Sequence, residues 1–448
     1  MSANRFNLFL CAALAFCAQE SFAADSSATN ACQPINLVTV LRLADARSID
    51  IEIAKQRLAE ARANHDASVL QFVPWISAGF GYRRHDDLIQ DVQGNIIDVH
   101  KESYTVGPTI LAQWDIGDAM FKELASRQLM RAATHGFDAQ RQDSLFAAAQ
   151  AYFDLVKADA SVAVANEAFR ISTNYFAQIR QASDAGIAFK GDVLRVQVQA
   201  EQNQNAVTRA HEQVKIASAK LVQALHLEGT VRLVPDGSEL VPLNVISTND
   251  TMKSLVARAL NVRPELKQQS AVVSASKKAK DGAVYGPLIP SVGAQVFAGG
   301  LGGGRDHAPS TFGESEDYQV SIGWRIGPGG LFDTSRKDVA TARLKTAELN
   351  AQKLVDEITR EVVEDRTRVE SLASQMATAQ RTVQIAQETL RLSEGRKEFA
   401  VGNVLEVIQS EQDLTRARLE YLNAVADFDK AQFALLRAIS GTPEMPAK

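Results

Sequence analysis

Hydrophobic residues follow two rhythms along this chain. The first has a period of two. Ile76, Ala78, Phe80 and Tyr82 alternate with Ser77, Gly79, Gly81 and Arg83. Tyr104, Val106, Ile110, Ala112, Trp114 and Ile116 alternate with Thr105, Gly107, Thr109, Gln113 and Asp115, although Leu111 breaks the polar row. Val292, Ala294, Val296 and Ala298 alternate with Ser291, Gly293 and Gln295. Tyr318, Val320, Ile322, Trp324 and Ile326 alternate with Asp317, Gln319, Ser321, Gly323 and Arg325. A period of two gives a strand one apolar and one polar face. Four strands are predicted, over about residues 73–84, 103–116, 290–299 and 317–327. Each has roughly ten residues, the length of a tilted strand across a bilayer. Tyr82, Tyr104, Trp114, Tyr318 and Trp324 stand near the ends of the apolar rows, where aromatics suit a membrane–water interface. The segments His85–Glu102 and Gly299–Arg305 read as exposed loops within the strand pairs.

The second rhythm steps by three and four. It runs through Val193, Val196, Ala200, Asn203, Val207, Ala210, Val214, Ala217, Leu221 and Ala224. It returns at Val369, Leu372, Met376, Ala379, Val383, Ala386 and Leu390, and at Leu414, Ala417, Tyr421, Ala424, Phe428, Ala431, Leu435 and Ala438. This is a coiled-coil seam, and its many alanines let helices approach closely. Of the 12 prolines, none falls from Thr109 to Val234 or from Gly329 to Thr442. Proline costs about 3 kcal/mol inside a helix, so these stretches are the places for long helices. Each is punctuated once, by Gly186 and Gly191 or by Gly402 and Asn403, residues suited to a helix stop and reversal. Two helical hairpins are predicted, over about 118–228 and 333–440. Their first arms reach roughly 100 Å at 1.5 Å per residue.

A shorter helix precedes each strand pair: Leu37–Leu70 in the first half, and Leu255–Tyr285, interrupted at Pro264, in the second. Pro74 and Pro290 open the strand pairs at matching places. The chain is therefore duplicated, with a repeat of about 210 residues: helix, strand, strand, long helix, turn, helix. The repeats are 24–228 and 251–441, joined by a linker at 229–250 and followed by a tail at 442–448. Residues 1–23 read as an export signal. Arg5 precedes the apolar stretch Phe6–Ala18, broken once by Asn7, and Ser21-Phe22-Ala23 offers the small residues of a cleavage site. Phe16 stands before Cys17 where lipidation needs a small residue, which argues against a lipid anchor there.

Composition then removes several function classes. The 448 residues carry a net charge of −5, so no basic excess marks a nucleic-acid partner. After the N-terminus no apolar run is long enough for a transmembrane helix. Cys11, Cys17 and Cys32 form no CxxC pair. His65, His85, His100, His135, His211, His226 and His307 stand in no metal-binding spacing. Gly302-Gly303-Gly304 follows no buried strand, as a phosphate-binding loop would. The expectation is no cofactor, no metal site and no enzyme.

Four strands leave two open edges, which lipid does not tolerate, and about eight is the minimum for an outer-membrane barrel. Several chains must then share one barrel. Particular segments sharpen this: Gly186–Gln197 with Asp192-Val193-Leu194-Arg195, Gly402–Leu414 with Leu405-Glu406-Val407-Ile408-Gln409-Ser410-Glu411-Gln412, and Pro74 and Pro290 at the strand entries. In these and in its duplicated plan the chain resembles the TolC family of outer-membrane efflux channels, over essentially the whole mature length. The resemblance implies a mainly α fold with a β-barrel contribution. It implies a homotrimer in outer-membrane lipid of a Gram-negative bacterium, with a 12-stranded β-barrel continued by a long periplasmic α-helical barrel. It implies passive exit of cargo from a tripartite efflux pump or type I secretion system. The implied partners are a periplasmic adaptor and an inner-membrane transporter of the RND, ABC or MFS type. Drugs, metal ions, proteins and peptides are all cargo of such systems.

The resemblance also implies a site at the hairpin tips. Asp192, Arg195, Phe399, Gly402, Glu406 and Gln409 would form the periplasmic entrance. Gly186, Gly191, Val193, Leu194, Val404 and Leu405 would meet the adaptor. The best-known members line the constriction with two acids one turn apart. Glu406 keeps one in lengthened form, and Gln409 is neutral. Asp192 matches an acid held by an aromatic hydroxyl and an arginine, but Phe399 has no hydroxyl and no arginine follows Gly402 closely. Arg195, Arg396 and Lys397 are the candidate substitutes, and Asp192 also suits a helix N-cap. Three Glu406 carboxylates around an axis would attract cations. The alternative reading is the periplasmic adaptor itself, which has one hairpin rather than two beside a lipoyl-like domain. A structural coiled-coil protein leaves the four amphipathic strands unexplained.

Overall fold

A computed structural model describes residues 32–237, 240–246, 250–305, 308–398 and 403–440. The export signal, the tail at 442–448, and Phe399 and Gly402 lie outside the described residues. In chain order the first half runs β1 (Cys32–Ile35), α1 (Leu37–Arg47), α2 (Ile49–Leu70), β2 (Trp75–His85), β3 (Leu88–Gln90), β4 (Ile96–Asp98), β5 (Lys101–Trp114), α3 (Ile116–Asp184) and α4 (Lys190–Ala224). The second half runs β6 (Arg232–Pro235), α5 (Met252–Val262), α6 (Pro264–Tyr285), β7 (Ser291–Arg305), β8 (Ala308–Gly323), α7 (Thr334–Glu398) and α8 (Val404–Ala438). Among the described residues no helix is long and apolar enough to cross a membrane.

Several expected elements change on folding. The helix expected over Leu37–Leu70 divides at Ser48, whose backbone is extended. The Ser48 hydroxyl donates to Ser144 of α3 at 3.3 Å instead of capping α2, so a tertiary contact divides the helix. Part of the linker is a strand: β6 pairs in parallel with β1, Gln33 opposite Leu233. The loop His85–Glu102 holds the small β3–β4 hairpin. Gly299–Arg305, expected in a loop, is part of β7. Here glycine makes room for rings. A Cβ at Gly300 would lie 2.1 Å from the Phe312 ring, and one at Gly302 2.2 Å from the Tyr104 ring. Tyr104 and Phe312 stack with centroids 6.0 Å apart. At its other end β8 stops at Gly323, because the chain turns back and Leu331 N–H donates to Arg325 O at 2.8 Å.

β2, β5, β7 and β8 form one antiparallel sheet in that order, so the two halves meet at the β5–β7 pair. The register lines up the apolar rows. Ile76 faces Ile110, Ile110 faces Val296, and Val296 faces Tyr318. Ile76, Phe80, Tyr318, Val320 and Ile322 are all exposed on this row.

The helices form three cores. Val40, Leu155, Leu221, Leu225 and Leu233 pack the first hairpin against α1 and β6. Leu255, Val362, Leu435 and Ile439 pack the second hairpin against α5. Nearer the tips, Tyr175, Ile179, Val196, Leu390, Val407 and Leu414 join the two hairpins. Seam positions Val196, Val214, Leu221, Val369, Leu390 and Leu435 are buried, as a seam requires.

An ionic network ties α3, α6, α7 and α8 together. Arg263, only 2% exposed, donates to Glu361 at 2.5 Å and to Glu265 at 3.2 Å. Arg437 donates to Glu265 at 2.8 Å, to Glu361 at 3.1 Å and to Asp143 at 2.8 Å. Losing a buried charge-assisted hydrogen-bond partner costs about 1–3 kcal/mol, and Glu265 and Glu361 keep Arg437 as their remaining partner. Arg263→Met is expected to lower thermal stability by that order, read from loss of helical circular dichroism on heating.

Asp429 of α8 is 1% exposed and accepts the Leu243 N–H at 2.8 Å, fastening the linker. Burial raises its pKa to about 7, partly opposed by that hydrogen bond. The folded pKa lies above the unfolded one, so Asp429 costs no stability at low pH and progressively more as pH rises from about 4 to 7. Asp429→Asn keeps the acceptor oxygen and removes the charge. It is expected to melt several degrees higher than the wild type at pH 8 and within a degree or two of it at pH 4.

Candidate functional site

Gly186 sets the tip of the first hairpin. α3 ends at Asp184, and Gly186 takes φ +76°, a left-handed conformation that glycine adopts without strain. Ile187 and Ala188 N–H groups then both donate to Ala182 O, at 2.8 and 3.1 Å, closing the helix end. Phe189 takes the N-cap position of α4, and its ring lies over Gly191, where a Cβ would come within 2.5 Å. Asp192 is therefore not the N-cap. It lies in the first turn, with its N–H donating to Phe189 O at 2.9 Å. A carboxylate there suits the helix dipole. Its side chain accepts from Arg195, one turn along, at 3.1 Å. Val193 is half-buried against the tip-proximal core, while Leu194, Ile187 and Phe189 are exposed.

Asn403 caps the second tip, its side chain accepting the Leu405 N–H at 3.1 Å. Val404 is half-buried and Leu405 exposed. Glu406 follows in the first turn of α8 and pairs with Arg396 of α7 at 2.9 Å. Gln409 is exposed, one turn beyond. Arg396 thus serves Glu406 rather than Asp192, and Arg195 is the cation on Asp192. The side chain of Lys397, like Phe399 and Gly402, lies outside the described residues.

At the other end of the molecule the aromatics divide into two sets. Trp114 and Trp324 stand where the sheet meets the helices. Each indole N–H donates to a backbone carbonyl beside the preceding helix, Trp114 to Phe72 O at 3.0 Å and Trp324 to Leu288 O at 3.2 Å. The same clamp is built once in each repeat. Tyr82 and Tyr104 are directly opposite each other near the far end of the sheet. Tyr318 stands inside the apolar row rather than at its end, opposite Val296, with its hydroxyl donating to Glu316 at 3.1 Å.

Two further groupings stand apart from the expected site residues. In the loop between β2 and β5, Asp87, Asp98 and His100 each bring a ligand atom within 4.8 Å of the others. Between the four long helices, Asn203, Gln199, Ser172 and Glu411 form a buried polar knot. A trace of the knot is visible beforehand: Asn203 occupies a seam position where an apolar residue is the rule.

The family model described as "Outer membrane efflux protein" matches the chain twice, over residues 40–226 and 255–441. A sequence comparison with curated proteins finds no match. Among solved structures, a membrane protein from Pseudomonas aeruginosa superposes with a TM-score of 0.78 at 18% identity, over 90% of this chain and 93% of that one. The outer-membrane channel OprN gives 0.78 at 18% identity, over 91% and 90%. The outer membrane protein VceC from Vibrio cholerae gives 0.74 at 16% identity, over 91% and 97%. At these identities the superpositions speak for the fold. The adaptor alternative, with its single hairpin, does not fit a chain matched twice. Both halves match the family, and the structure joins them through one sheet and two paired hairpins: this chain belongs to the outer membrane efflux protein family and is an outer-membrane channel for efflux, with its helical part in the periplasm.

Proposed function

We propose that three copies of this chain assemble into one continuous conduit. The observation that supports this is the pair of open edges, β2 and β8, on a sheet with a continuous apolar row. Lipid requires every strand edge to be paired, so β8 of one copy pairs with β2 of the next and three copies give twelve strands. The exposed row of Ile76, Phe80, Val320 and Ile322 then faces lipid. The helical hairpins continue the barrel into the periplasm, and their tips form its entrance.

In this reading Asp192, Arg195, Glu406 and Gln409 line the entrance, and Phe399 and Gly402 belong to the same tip. The exposed apolar residues Leu194 and Leu405, with Gly186, Gly191, Val193 and Val404, meet a periplasmic adaptor, and the adaptor links the channel to an inner-membrane transporter. The chain performs no step on the cargo. Native mass measurement of the detergent-purified protein is expected to give a trimer; a stable monomer would overturn the shared barrel.

The Arg396–Glu406 pair makes the entrance less negative than three bare carboxylates. Single-channel recordings in planar bilayers are expected to show Arg396→Ala increasing cation preference and block by multivalent cations. Glu406→Gln is expected to reduce both. An unchanged selectivity in both variants would remove Glu406 from the constriction.

A further inference from the structure

In the tip-proximal half of the helical region, α3, α4, α7 and α8 enclose a polar knot centred on Glu411 of α8, which is 2% exposed. Its Oε1 accepts from Asn203 Nδ2 of α4 at 3.0 Å, while its Oε2 is buried without a hydrogen-bond partner. Asn203 Nδ2 also lies 3.1 Å from Ala168 O and 3.0 Å from Ser172 Oγ, both on α3. Gln199 Nε2 donates to Asn203 Oδ1 at 3.1 Å, and Gln412 Nε2 donates to Gln199 Oε1 at 2.6 Å. Two hydrogen bonds here, Glu411–Asn203 and Gln412–Gln199, cross from the second hairpin to the first.

The charges around Glu411 favour its neutral form. From α3 the titratable neighbour is Tyr175, and from α7 it is Glu394. α4 presents the neutral Asn203 and Gln199, with Asp192 acting on Tyr175 from nearer the tip. No cationic side chain forms an ion pair with Glu411 among the described residues. An ionised carboxylate in this position is stripped of water and holds a single donor, whereas the acid is tolerated.

We propose that Glu411 is a proton-operated latch between the two hairpins: protonated it holds α8 against α4, and ionised it favours their separation and an open entrance. The last step rests on the tips being the entrance. Burial raises the Glu411 pKa to about 7; the Asn203 hydrogen bond lowers it, and the Glu394 charge raises it. Water reaching the separated helices returns the group to the ordinary value near 4.3. Between those values the closed arrangement binds more protons, so rising pH shifts the balance toward separation, by up to roughly a hundredfold between pH 5 and pH 8.

Ser172 is fully buried in the knot and reports its opening. In a Cys32→Ser background, the thiol of Ser172→Cys is titrated with a charged maleimide, with and without Glu411→Gln. Dividing the two rates at each pH cancels the thiol's own ionisation. Rates within about tenfold of each other are expected at pH 5, and alkylation roughly a hundredfold or more faster with Glu411 than with the glutamine at pH 8. Equal rates at both would overturn the latch. Glu394→Gln lies on an exposed position and serves even if Glu411→Gln does not assemble; it is expected to move the wild-type midpoint to lower pH. A midpoint that stays in place would overturn the electrostatic account. Conductance measured in parallel separates the two claims: pH-dependent alkylation with pH-independent conductance upholds the latch and refutes the tips as entrance.

Discussion

An unpaired peptide group inside hydrocarbon costs several kcal/mol, and this constraint governs the four-stranded sheet from which the helices hang. Each repeat supplies two strands, and two strands bury neither an edge nor a face. Joining the repeats at β5–β7 halves the number of open edges without abolishing them. The remaining two, on β2 and β8, are the edges that the proposed neighbouring copies pair. The register is as strict as the edges are. One residue of slip at any of the three pairings would set the apolar row of one strand beside the polar row of the next and break the line from Ile76 through Ile110 and Val296 to Tyr318.

The sheet passes its geometry to the helices through a few close contacts. Gly117 at the start of α3 rests on Gly286 after α6, where a Cβ would come within 2.2 Å of the Gly286 carbonyl oxygen. Asp118 beside it pairs with Arg336 of α7 at 2.6 Å, so the first turns of both long helices are tied together. The Trp114 and Trp324 indoles fasten the strand ends to the chain leaving the short helices. Below this junction alanine-rich seams set the helix spacing, and polar residues set which helices are neighbours. The Arg263–Glu361–Arg437 network and the Glu411 knot occupy different heights in the bundle. In the first every carboxylate has an arginine partner, and the second holds a carboxyl without a cation. That difference makes one a fixture and the other responsive to protons.

The amino-acid order by itself determined the plan of this protein. Period-two rows placed four strands, proline-free seams placed two hairpins, and glycine and asparagine placed their reversals. These features are local: side-chain alternation, backbone strain and helix propensity act over a few residues and leave a mark in the sequence. Tertiary structure decided whatever depends on partners distant in the chain. Gly299–Arg305 became strand because Phe312 and Tyr104 needed the space that glycine leaves. Ser48 divided a helix because Ser144 lay opposite. Arg396 went to Glu406 and Arg195 to Asp192, a choice that composition at the tips left open. The burial of Glu411, and with it the sensitivity to protons, exists only where four helices meet and exclude water, and no spacing along one helix encodes that meeting.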